Sequence, residues 1–75
     1  MLISDNIHPK NCIYYTGGIV LSILQNYGNL PIDDLYAKVK QQNGMSFPVL
    51  LLSLDWLYLI NAAIINEKGE VKLCS

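Results

Sequence analysis

The chain has 75 residues, 52% apolar and only 15% charged, with a net charge of −1. That makes one small domain whose surface is short of charge, since average proteins carry about 25% charged residues. It has no arginine, and its five lysines (Lys10, Lys38, Lys40, Lys68, Lys72) are scattered, which counts against a nucleic-acid binder that lives on phosphate contacts.

Residues 1–10, MLISDNIHPK, begin with a short apolar stretch and then carry Asp5, Asn6 and Pro9, which reads as an extended arm. No basic region precedes an apolar one, so the arm is not a signal peptide. The stretch from Tyr14 to Tyr27 follows a helical period at Ile19, Val20, Ile23, Leu24 and Tyr27, and Gly28 suits the helix stop. Gly17 and Gly18 weaken its first turns by up to about 1 kcal/mol each against Ala. They fit either close packing of helix backbones or a helix that begins near Thr16. A phosphate loop would need a following Lys-Ser or Lys-Thr, which is missing.

Asn29-Leu30-Pro31 reads as a short extended connection, with Pro31 at a helix start. A second helix is expected over Ile32–Gln42, with Leu35, Tyr36 and Val39 on one face. Asp33 and Asp34 open it and Lys38 and Lys40 close it, which complements the helix dipole. Asp34 and Lys38 have i,i+4 spacing for an ion pair. The acidic doublet is read as helix-start charge rather than as a catalytic pair. Asn43-Gly44 ends the helix.

The run from Met45 to Ile65 holds no Lys or Arg, and its only charge is Asp55. Its length suits a membrane span of about 20 residues. Asp55 lies at its middle, where a carboxylate costs roughly 2.5–3.5 kcal/mol on insertion scales. Pro48, Ser53 and Asn61 interrupt it, and no basic cluster flanks it, so a span is rejected. Instead Ser46 caps a third helix, Pro48 sits in its first turn, and the helix runs to about Ile60. Ala62–Asn66 and Val71–Cys74 then form two short β segments around Lys68-Gly69, with Val71 and Leu73 on one face.

The expected fold is therefore mainly α with a C-terminal β-hairpin. Residues 1–75 form a single winged-helix domain of three helices plus a wing, with 1–10 as its arm. Such a fold commonly reads DNA through helix three, but fold alone does not establish function. A recognition helix presents Arg, Lys, Asn, Gln or Ser to base edges. Helix three presents almost only bulky apolar groups. Phe47, Leu50, Leu54 and Leu57 share one stripe, and Leu52, Asp55, Trp56 and Leu59 lie nearly opposite. Its few polar residues lie on different sides, so periodicity leaves open which stripe faces the core. Either way apolar surface is left over that another chain must cover.

The candidate partner interface is Leu52, Asp55, Trp56 and Leu59. Trp56 is a residue type favoured at interface hot spots, and equally a plain core tryptophan. Asp55 would meet a partner's base or backbone N–H, or else merely break up the patch. Lys68 and Lys72 on the wing are the candidates for weak nucleic-acid contact.

Nothing supports an enzyme. His8 is the only histidine, and no acid, base and nucleophile are grouped. His8 contacts a partner or is a structural or exposed arm residue. Cys12 and Cys74 read as reduced structural thiols rather than a bridge, and a zinc site lacks ligands. No cofactor is expected.

Four blocks carry a family resemblance: DNIHP at Asp5–Pro9, IYY at Ile13–Tyr15, LLSLDWLYLI at Leu51–Ile60, and NEKGEVKLC at Asn66–Cys74. In this combination the chain resembles the small middle components of bacterial ABC-three-component systems. The family pattern has a Gly-containing apolar turn after the third helix, where this chain has Asn61-Ala62-Ala63. The resemblance implies a cytoplasmic, non-enzymatic winged-helix adaptor. It would link an SMC/RecN-like ABC ATPase to an effector protein in a conflict or anti-phage system. The partners implied are that ATPase and effector, with a homodimer also in view, DNA touched only indirectly or weakly, and no membrane. The competing reading is a small winged-helix DNA-binding regulator.

Overall fold

The computed structural model describes residues 12–74. The arm at 1–10, with His8 and the DNIHP block, lies outside the described residues. The elements are α1 (Ile13–Tyr27), β1 (Leu30–Pro31), α2 (Ile32–Asn43), α3 (Phe47–Leu59), β2 (Ala63–Ile65) and β3 (Glu70–Leu73). The strands form one antiparallel sheet in the order β1-β3-β2. Three helices with a hairpin after the third, and a short strand between the first two, make a winged-helix-like arrangement.

The helix ends follow the local chemistry expected of them. α1 starts at Ile13 rather than near Thr16, with Cys12 as an extended N-cap residue. Gly28, at φ 82°, takes a backbone that L side chains rarely adopt and donates its N–H to the Leu24 carbonyl. Gly44 stops α2 in a left-handed conformation. The Ser46 hydroxyl accepts the Val49 N–H at 3.4 Å, and Pro48 lies in the first turn of α3.

α3 ends in a Schellman turn. Ala62 donates to the Leu57 carbonyl at 2.8 Å and Asn61 to the Tyr58 carbonyl at 3.1 Å. Asn61 stands at φ 61°. The turn needs a left-handed residue at this position, for which glycine is the usual choice. Asparagine is the usual substitute, so the turn survives the departure.

The connection read as merely extended contains β1. Leu30 pairs with Val71 and Pro31 with Glu70, so β1 is a third strand beside the expected hairpin. In the hairpin, Ile64 pairs with Lys72, and Asn66 organises the turn. Its side-chain oxygen accepts the backbone N–H groups of Lys68 and Glu70 at 2.9 and 3.0 Å.

One core joins the helices and the sheet. Val20, Ile23 and Leu24 of α1, Leu35 and Val39 of α2, and Leu50, Leu54 and Leu57 of α3 meet Met45, Ala63 and Val71. Phe47, which periodicity groups with Leu50, Leu54 and Leu57, is exposed at the start of α3 and stacks edge-on against Tyr36 at 5.1 Å. Lys38 stands over the Tyr27 ring, 4.1 Å from its centroid, in place of the expected pair with Asp34.

Candidate functional site: the outer face of α3

The phase of α3, open in the sequence, is set by its neighbours. Leu50, Leu54 and Leu57 are fully buried, together with Ser53. Ser53 meets Thr16 of α1, hydroxyl to hydroxyl at 2.5 Å, in a fully buried contact. Each hydroxyl has one proton. The arrangement that uses both well runs Thr16 to Ser53 and then Ser53 to the Val49 carbonyl at 2.9 Å. This buried relay fixes the register of α1 against α3, and among the described residues no buried side-chain polar atom lacks a partner.

One turn along, Gly17 lets the two helices close. A Cβ there would stand 2.9 Å from Cζ3 of Trp56 and 3.0 Å from Cε3. Trp56 stands between core and surface. The ring packs against α1 at Gly17 and leans edge-on against Tyr14, at 5.0 Å and 79°, yet Trp56 stays only half-buried. Beside it Leu52 is 59% exposed, Leu59 81% and Tyr14 71%, and Asp55 is exposed between them. All four residues singled out for a partner interface therefore share the outer side of α3. Tyr14 joins this face, which the sequence did not reveal, because its place depends on how α1 crosses α3.

A small apolar cleft of about 110 Å³ opens between the helices, lined by Ile13, Thr16, Val49, Leu52 and Ser53. Tyr58 lies one turn from Asp55. Partial burial, and then the Asp55 carboxylate, push its hydroxyl pKa above the usual 10.0. A second set of exposed apolar residues, Ile60, Ile64 and Ile65, lies on β2 and the turn leading into it. β2 is a free edge of the sheet.

The wing lysines are placed differently from one another. Lys68 is exposed in the hairpin turn, whereas Lys72 is half-buried on the central strand β3. Neither is on α3, whose sequence has no Lys or Arg. Cys12 is half-buried and Cys74 exposed, and both are free thiols. Among the described residues no cluster of His, Cys, Asp or Glu is placed to hold a metal ion. No helix there is long and apolar enough to cross a membrane.

No curated protein and no solved structure matches the chain. The family described as MC6: ABC-three component (ABC-3C) system Middle Component 6 matches residues 2–74, nearly the whole length. A component of a three-component system implies partner components. The resemblance read from the four sequence blocks is borne out: the chain belongs to the Middle Component 6 family of ABC-three component systems.

Proposed function

We propose that this chain is a non-enzymatic, cytoplasmic adaptor that links an SMC/RecN-like ABC ATPase to an effector protein in a bacterial conflict (anti-phage) system. Its docking face is Leu52, Asp55, Trp56 and Leu59. The observation that carries this is the exposure of Leu59 and Leu52 on a helix whose opposite side is fully buried. Apolar groups of this size, gathered around a half-buried Trp, mark a surface that another protein covers. Linking two partners calls for a second surface, and the exposed Ile64 and Ile65 on the free edge strand supply a candidate.

The test is co-expression with the other components of the system and recovery of a complex. Leu59→Asp, at a solvent-facing position, is expected to keep the fold and lose the complex. A chain that stays a well-behaved monomer and never co-purifies with those components contradicts the proposal.

A DNA-binding regulator is the second reading, favoured by the winged-helix-like arrangement. Lys68 and Lys72 would then add phosphate contacts. Binding of duplex DNA at physiological salt by this chain alone, lost in Lys68→Glu, supports that reading; absence of binding removes it.

A further inference from the structure

The outer face of α3 carries one charge, and that charge is central. Asp55 lies midway between Leu52 and Leu59 along the helix. The two helices that build the face, Ile13–Tyr27 and Phe47–Leu59, contain no Lys or Arg. Tyr58, one turn on, has its hydroxyl pKa raised by partial burial first and by the Asp55 carboxylate second. A partner that covered Leu52, Trp56 and Leu59 without answering Asp55 would strand a carboxylate in a dry interface, which is strongly unfavourable.

A second copy does not answer it. A twofold interface puts the same patch on both sides. Since Asp55 is near the centre of the patch, an axis through that centre sets the two carboxylates side by side.

The geometry also selects the partner's secondary structure. Leu52, Trp56 and Leu59 are spaced by four and then three residues, the spacing of a coiled-coil seam. Backbone N–H groups within α3 are used inside the helix, so the face offers no edge for strand addition. At the Leu52 end, the cleft beside Ile13 and Val49 has room for a branched aliphatic knob. Its Thr16 and Ser53 hydroxyls already satisfy one another and the Val49 carbonyl, so it asks for an apolar group.

We infer that the occupant is an amphipathic helix of a partner subunit, which lays an apolar seam along Leu52, Trp56 and Leu59 and presents a Lys or Arg to Asp55. This rests on the adaptor reading of the same face. The experiment titrates the purified chain with each of the other components of its system in turn, comparing wild type, Leu59→Asp, Asp55→Asn and Asp55→Lys. Both substituted positions are exposed, and Trp56 emission and helical circular dichroism check the fold. Asp55→Lys is expected to weaken binding by roughly 30-fold or more, Asp55→Asn less, with the loss reversed by one Lys or Arg to Glu change in the partner. Loss with Leu59→Asp but unchanged binding by Asp55→Lys overturns this inference and leaves the adaptor reading standing. Unchanged binding by both variants overturns the adaptor face itself. A wild-type chain that is dimeric alone, and monomeric as Leu59→Asp, assigns the face to a second copy and overturns the inference.

Discussion

Gly17 and Gly18 are neighbours in α1 with opposite predicted responses to the same methyl group. A Cβ on Gly18 meets nothing within 4 Å, so Gly18→Ala brings only the gain in helix propensity. That gain is about 0.8–1.0 kcal/mol, which raises Tm by roughly 4–8 °C in a domain of this size. Gly17→Ala brings the same propensity gain but drives its Cβ to 2.9 Å from the Trp56 ring. Ordinary carbon contacts lie at about 3.5–4.0 Å, so the ring or the helix must give way. Overpacking of this kind costs about 1–3 kcal/mol, leaving Gly17→Ala between neutral and about 2 kcal/mol less stable than wild type. The assay is thermal unfolding of both variants by circular dichroism, with intrinsic fluorescence beside it. Trp56 is the only tryptophan in the chain, so its emission reads the ring directly. A red shift is expected for Gly17→Ala and none for Gly18→Ala. Equal stabilisation of the two variants with unchanged emission would refute the packing of Trp56 on Gly17, and with it the placement of the proposed docking face.

The remaining predictions concern the relay, the turn and the tyrosine beside Asp55. Thr16→Val and Ser53→Ala each destabilise by about 1 kcal/mol, because each hydroxyl left behind retains a backbone carbonyl. Their double-mutant cycle gives a coupling of about 0.5–1.5 kcal/mol, and zero coupling would show that the hydroxyls do not meet. At the end of α3, Asn61→Val costs about 1–2 kcal/mol in chemical denaturation while Asn61→Gly does not, since only the branched residue resists φ near 60°. The folded-state pKa of Tyr58 is raised, so its neutral form is favoured by folding. The corresponding stability is present below pH 10 and is lost as pH rises through the raised value. Asp55→Asn removes the electrostatic cause and leaves burial, so tyrosinate absorbance, referenced to Tyr58→Phe, shows Tyr58 ionising at lower pH than in wild type.

Much of the fold was legible because its signals are local. Gly28, Gly44, Ser46 and Pro48 each act on their own helix end, and the helices stop and start where those residues dictate. β1 was not legible. It is two residues long, contains a proline, and exists only because Val71 and Glu70, forty residues on, pair with it. The phase of α3 was hidden for a different reason. With apolar residues on every side, its own periodicity carries no direction. Thr16 and Gly17 in α1 supply it, one as hydroxyl partner to Ser53 and the other as the gap for Trp56. The sequence named the candidate face as one of two opposite stripes of α3, and its Tyr14 edge was out of reach because it depends on helix crossing. Lys38 shows the same limit: the i,i+4 rule pointed to Asp34, while tertiary packing brought up Tyr27.

The proposed docking of a partner on the outer face of α3 can be tested at one atom. With 5-fluorotryptophan incorporated, Trp56 gives the chain a single fluorine resonance. Titration with the unlabelled, purified components of the same system is expected to shift or broaden that resonance in the wild type and leave it unmoved in Leu59→Asp. A complex that forms, as judged by its mass, while the Trp56 resonance stays in place would contradict the central claim and move the interface elsewhere on the molecule.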